Sequence, residues 1–287
     1  MQWIGSLICL ALCETMLLAQ PPMSHDRLFA ARLEGQNVVP RSDSPGSGTG
    51  IFVLSTGNER ATIRYQLVYA GLSSPDVRSS VIRNFGAGKN GDVVYAICGP
   101  ETEKCPSGQD GSVRGHWTTD ESRYGLTPNV LAELANRRLY VEIETAAGRE
   151  IRSQLAASPF MVVQQEGIAE LRGSGESEGV TGLAVVRLVP LPNGPEVGVL
   201  LTVAGSREDP VSVGFAGPGE RLHEIRLRPA PETKPSRTLR VVSPKQNARA
   251  WADPEFAQAL TEGKVTLVVY LGKQEKLTVR GNVVPVR

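Results

Sequence analysis

The chain has 287 residues, with 31 Lys and Arg against 30 Asp and Glu, for a formal net charge of +1. So even a balance leaves no basic footprint for nucleic acid and no electrostatic anchor for a membrane surface. The length is enough for two ordinary domains, each able to bury its own core.

Residues 4–18 are mostly apolar, broken chiefly by Glu14 and Thr15, and lead to Ala19. This reads as an export signal over residues 1–20, with Ala19 as the small residue before the cut. No Lys or Arg precedes the apolar run, so a retained anchor is the rival reading. Ile8 and Leu12 precede Cys9 and Cys13, a poor match to a lipoprotein signal. No other segment approaches transmembrane length. Losing residues 1–20 removes Glu14 and no base, which moves the charge from +1 to +2.

After an unstructured start, residues 28–33 open the first domain, and residues 42–50, rich in Ser, Gly and Pro, read as a loop. Residues 51–54 and 61–69 are strands joined by a hairpin turn at residues 55–59. In the second strand Ile63, Tyr65, Leu67 and Tyr69 alternate with Thr62, Arg64, Gln66 and Val68, the period of a half-buried strand. Residues 92–97 form another. Short strands at close spacing, with turn residues between them, indicate an antiparallel sandwich or barrel.

Cys98 and Cys105 are the only cysteines beyond the signal, and they flank a turn-rich loop. In an oxidising compartment they are most simply a disulfide. A metal site is the alternative, but it needs further Cys or His, and only His116 is near in sequence.

At residues 126–134, Thr127 is placed to cap a short helix with Pro128 in its first turn, where a missing N–H costs nothing. Asp253 and Pro254 repeat the device. Pro254 follows Pro128 by 126 positions, Leu260 follows Leu134 by the same interval, and Arg280 answers Arg152. A period this long fits two copies of one domain rather than a solenoid. The helical faces Val130/Leu131/Leu134 and Phe256/Ala259/Leu260 should pack on a sheet edge. Gly205 plays the part of Gly71, residues 158–165 are the junction, and residues 229–235 form a Pro-rich loop. The expected fold is all-β: two tandem antiparallel Greek-key-like β-sandwich or barrel domains, residues 21–160 and 161–287, each with one short helix.

Gly86, Gly88 and Gly91 spell G-x-G-x-x-G, but a dinucleotide site needs that string to open a helix. Here a strand follows, so a surface hairpin loop is expected. His25, His116 and His223 lie at no metal-ligand spacing. No G-x-S-x-G elbow marks a nucleophile. Asp110, Asp120 and Glu121 lack the dense spacing of a calcium loop and read as solvated loop charge. Arg152 and Arg280 are either ligand-facing guanidiniums or structural arginines lying on the sheet. Their recurrence in a diverged copy favours the structural role.

The segment from Leu33 through Glu34, Gly35, Gln36, Asn37, Val38 and Val39 to Pro40 is similar to the opening "L.G..EVPP" pattern of the CHRD domain, the module named from chordin. Residues 67–72 resemble its "GL" strand, residues 86–94 its Gly-rich loop, and residues 126–155 its closing helix and hairpin. The resemblance covers roughly residues 28–156, and the second copy matches only at its ends. It implies an immunoglobulin-scale β domain with no established catalysis. Family members commonly carry a "HIH" triplet reminiscent of copper/zinc superoxide dismutases. Here Val81, Ile82 and Arg83 hold that place, with Val211, Ser212 and Val213 at about the same point of the second copy.

The sequence therefore points to an exported protein, periplasmic or extracellular, that is not an enzyme and carries no cofactor. It would bind another protein or an envelope glycan through loops of the first domain, around residues 84–91 and the cysteine loop at 98–115, with Asn84, Phe85, Lys89 and Asn90 as candidates and no catalytic residues. The alternatives are a metal-binding or redox protein by dismutase analogy and a structural envelope component.

Overall fold

The computed structural model describes residues 26–57, 60–121, 123–157, 165–190, 195–217, 222–227, 236–242 and 254–286, with residues 222–227 as backbone. The expected signal, Cys9, Cys13, His25, residues 158–164 of the junction, the Pro-rich loop and Asp253 lie outside the described residues. No helix among the described residues is long and apolar enough to cross a membrane.

The first half contains β1 (Arg27–Glu34), β2 (Ser47–Gly57), β3 (Arg60–Ala70), β4 (Val77–Asn84), β5 (Val93–Cys98), β6 (Gly111–Thr118), α1 (Pro128–Ala135), β7 (Leu139–Thr145), β8 (Gly148–Gln154) and β9 (Ala156–Ala157). The second contains β10 (Gln165–Gly173), β11 (Thr181–Val189), β12 (Glu196–Ala204), β13 (Pro210–Ala216), β14 (Leu222–Leu227), β15 (Thr238–Val242), α2 (Pro254–Thr261), β16 (Thr266–Leu271), β17 (Leu277–Asn282) and β18 (Val284–Pro285). One sheet runs β5-β4-β7-β8-β1-β2-β3-β6, with β9 added to β1. The other runs β14-β13-β16-β17-β10-β11-β12-β15, with β18 added to β10. Position for position the two orders are the same. Among the described residues the protein is all-β, with two barrel-like sheets and two short helices, as the strand spacing predicts.

Each sheet curls until its ends approach. In the first, Tyr95 of β5 stacks on Trp117 of β6 at 4.7 Å between ring centroids, and the Tyr95 hydroxyl donates to the His116 carbonyl at 3.0 Å. The indole N–H of Trp117 donates to the Tyr124 carbonyl. Burial raises the Tyr95 hydroxyl above its ordinary pKa, helped by its neighbour Tyr65. Thr127 caps α1 by accepting the Val130 amide at 3.3 Å, and Leu134 is buried. Phe256, Ala259 and Leu260 of α2 join the second core. The Cys98–Cys105 disulfide is present and both cysteines sit in the first core. The chain-entropy model assigns so short a loop about 2.5 kcal/mol.

Three local expectations are corrected. Residues 47–50 belong to β2, not to a loop, because Ser, Gly and Thr there let strands approach closely; a Cβ on Gly48 would lie 2.9 Å from the Val68 carbonyl oxygen. Residues 111–115, read within the cysteine loop, begin β6 and pair with β3. Val68 is not on a solvated face but fully buried, as is Ala70. The outer face of β3 loses its solvent there because the second sheet covers it. Leu28, Ala30, Ile51, Val53, Val68 and Ala70 form one cluster with Leu183, Val185 and Ala204.

Candidate functional site

β4 ends at Asn84, and the chain turns back over the outer face of β7 and β8. That turn is the Gly-rich loop. Asn84 closes its base, bonding Asp92 through its own amide at 3.0 Å and through Oδ1 at 2.8 Å. Gly91 is required by close approach, since a Cβ there would fall 1.4 Å from the Asn84 carbonyl oxygen.

Beneath the loop lies Arg152, 1 % exposed. Its guanidinium sits 3.4 Å from the Tyr140 ring centroid. Its Nη2 donates to the Lys89 carbonyl at 2.8 Å and to that of Gly86 at 3.5 Å, and Nη1 to Asn90 Oδ1 at 3.4 Å. The Gly91 amide donates to the Tyr140 hydroxyl at 3.0 Å, and Asn90 Nδ2 to the Val39 carbonyl at 2.9 Å. Arg152 is thus the structural arginine of the two readings. The loop turns carbonyls inward onto a cation, the opposite polarity to a phosphate cradle, which presents N–H groups.

Glu142 is buried beside it, with Arg83 Nε at 3.2 Å and Arg149 Nε at 3.5 Å. Burial raises the Glu142 carboxyl above its ordinary value, against the pull of Arg149, Arg83 and Arg152. Arg83, at the place of the second imidazole of the family triplet, therefore faces a carboxylate within an ion network. The register corrects the counterpart expected in the second half. Val268 stands where Glu142 does, and its partner on β13 is Gly214, so Gly214, Phe215 and Ala216 answer Val81, Ile82 and Arg83. Arg280 is exposed and pairs in register with Arg172, where Arg152 faces Glu34. The buried network belongs to the first half.

The four candidate loop residues are brought to one place but divide by role. Asn84 and Asn90 hold the loop down. Phe85 and Lys89 face outward. Phe85 has φ 139°, a region that strains a side chain with a Cβ, and is 37 % exposed. Its amide donates to the Arg138 carbonyl at 2.6 Å, and its carbonyl accepts from Gln154 Nε2 at 3.0 Å. Lys89 Nζ lies 5.5 Å and the Arg138 guanidinium 5.9 Å from its ring centroid. The result is an aromatic residue held at its backbone on both sides, with its ring flanked by two cations.

The remaining candidates are dispersed. His116 is exposed on β6. His223 lies on β14, paired with Phe215. Among the described residues no three His, Cys, Asp or Glu side chains group as a metal site. Asp120 pairs with Arg60 at 3.4 Å, and Glu121 accepts the Thr118 amide at 3.0 Å. Asp110 is not solvated charge: its Oδ1 accepts the Gly71 amide at 2.8 Å and its Oδ2 that of Gly205 at 2.7 Å.

Clefts flank the packed faces of the sheets. One, of about 900 Å³, has Ile51, Val53, Arg64, His116, Ile168 and Val284 among its walls. Another, of about 600 Å³, runs beside the Gly-rich loop and includes Arg32, Gln154, Arg187 and Arg240. Sequence reasoning missed Glu142 and Tyr140 as the partners of Arg83 and Arg152. Their signal was present: they alternate with Leu139, Val141 and Ile143, which puts them on the outer face. The clefts had no signal, since they arise only from the packing of two sheets.

Neither the curated proteins nor the solved structures returned a match to this chain. Residues 29–155 match the family model of the CHRD domain, and they span the first sheet from Phe29 to Leu155, the Gly-rich loop and its buried arginine included. Over that stretch, residues 29–155, the chain carries a CHRD domain.

Proposed function

We propose that this chain is an exported, non-enzymatic binding module that recognises an envelope glycan through the Gly-rich loop. Phe85 carries the reading. An aromatic side chain held in a strained backbone conformation, half out of the protein and fixed at both its amide and its carbonyl, suits stacking on a sugar ring. The flanking Lys89 and Arg138 suit a ligand with acidic groups. Loops on a rigid scaffold are the usual place for recognition. The disulfide and the CHRD domain support an oxidising, extracytoplasmic setting. In this reading residues 21–160 are the recognition unit, and residues 161–287 are a degenerate CHRD-like copy, a relationship the common strand order supports.

The test is binding of the purified full chain to a panel of immobilised envelope glycans. Phe85→Ala is expected to weaken binding about tenfold, consistent with loss of one stacked aromatic, while Phe85→Trp retains it. Wild-type protein that binds no glycan, or Phe85→Ala binding as tightly as wild type, overturns the reading.

A further inference from the structure

Buried polar atoms without partners are few in a folded protein, and each calls for a reason. Among the described residues, the side-chain atoms in this state are Ser80 Oγ, Arg83 Nε with both Glu142 oxygens, Arg32 Nε, Arg187 Nη2 and Gln154 Oε1. Arg83 and Glu142 face each other. The last three belong to residues that line the same 600 Å³ cleft between the sheets.

Each of the three is already anchored by its other atoms. Arg32 Nη2 pairs with Glu34 at 2.7 Å, Arg187 Nε with Glu166 at 2.7 Å, and Gln154 Nε2 donates to the carbonyls of Phe85 and Arg137. Each side chain is therefore held by partners on its other atoms, with two donor nitrogens and one acceptor left over. Arg240 adds an exposed cation on β15, with no ion-pair partner among the described residues. No carboxylate among the described residues lines the cleft. Its floor includes Ala30, Ala156 and Leu200, and Ala87 and Gly88 of the Gly-rich loop close its rim.

We infer that this cleft is an anion subsite for the same glycan, taking a carboxylate or phosphate of an acidic sugar on Arg32, Arg187 and Arg240 and a sugar hydroxyl on Gln154 Oε1. Two guanidiniums with spare donors match the paired oxygens of an oxyanion, and the lone acceptor matches a hydroxyl. Arg187 and Arg240 come from the second sheet, so the subsite exists only when both halves are present. It rests on the reading of the chain as a glycan-binding module and adds the charge class of the ligand and a role for the second half.

The full chain is titrated by calorimetry with an oligouronate, with a sugar-phosphate oligomer and with a neutral oligosaccharide. Arg240 is exposed and unpaired, so its variants keep the fold, which a thermal melt verifies. Arg240→Gln is expected to lower affinity for one of the two anionic ligands about tenfold, the scale of a lost charged hydrogen bond. Arg240→Glu should abolish that binding, and Arg280→Gln, outside the cleft, should leave it unchanged. Whichever anionic arm responds identifies the oxyanion. Binding that Arg240→Glu leaves intact, equal affinity for the neutral oligosaccharide, or no binding of either anionic ligand overturns the subsite. Loss of binding in Phe85→Ala with none in Arg240→Glu keeps the loop reading and removes the subsite. The reverse pattern keeps the subsite and removes the role of Phe85.

Discussion

Asp110 reaches across from the first sheet to Gly205 of the second, accepting its amide at 2.7 Å. Its other oxygen holds Gly71 at 2.8 Å. Gly71 and Gly205 occupy the same place after β3 and β12, and both have positive φ, 69° and 77°. One carboxylate thus grips the same turn in both halves. Thr49 and Thr202 add a hydroxyl contact of 2.7 Å across the same interface, and Thr202 passes it on to Thr238 at 2.6 Å. The two sheets are locked by polar contacts at one end of a shared apolar face.

Removing that carboxylate leaves two amides without their acceptor. Asp110→Ala is expected to destabilise the protein by about 2 kcal/mol, the range for hydrogen bonds to a charged group. Asp110→Asn, which keeps one acceptor oxygen, should lose less. Urea denaturation of the three proteins measures both, and an Asp110→Ala midpoint equal to wild type would remove the clamp from the account.

Glu150 sets part of the acid stability. It is buried and accepts from the Thr145 hydroxyl at 2.9 Å, from the Ser73 amide at 3.2 Å and from the Ser44 hydroxyl. Burial alone would raise its pKa, but the hydrogen bonds from Ser44, Thr145 and Ser73 together outweigh it and hold the carboxyl below its ordinary 4.5. A depressed acid stabilises the fold above its unfolded value and loses that contribution as pH falls through the folded value. Glu150→Gln should cost about 1–3 kcal/mol at neutral pH. The gap to wild type should close as pH drops below 4.5. Glu142, raised by burial, runs in the opposite sense and adds nothing to this acid limb. Stability curves of equal separation at neutral and acid pH would contradict the assignment.

Gly115 is needed for space. A Cβ there would lie 2.4 Å from the Tyr65 hydroxyl oxygen and 2.7 Å from the ring carbon bearing it. Tyr65 cannot swing aside, because its ring packs between Phe52 and Tyr95. Gly115→Ala is expected to cost about 1–3 kcal/mol by overpacking. Gly198, in β12 with open space around it, should tolerate alanine and gain about 0.5 kcal/mol from strand propensity. Thermal melts of the pair decide it, and a Gly115→Ala protein as stable as wild type would count against the packing.

By itself the sequence determined what local physics can write: the strand periodicity around Ile63 and Tyr65, the Thr127–Pro128 helix start, the short cysteine loop, and two halves spaced by the same interval. Each follows from the preferences of a few neighbouring residues, so it is legible without knowing what lies across the fold. The ground in the sequence for reading Arg152 as structural, the recurrence at Arg280, does not hold, since Arg280 is exposed and only Arg152 is buried. Only the tertiary structure decided which face of a strand meets solvent. Val68 reads as an outward residue until the second sheet covers it, and Asp110 reads as a loop charge until Gly205 arrives. The same holds for the cleft. Arg32, Arg187 and Arg240 stand far apart in the chain, each an ordinary strand arginine, and they acquire a common chemistry only where two curved sheets pack back to back.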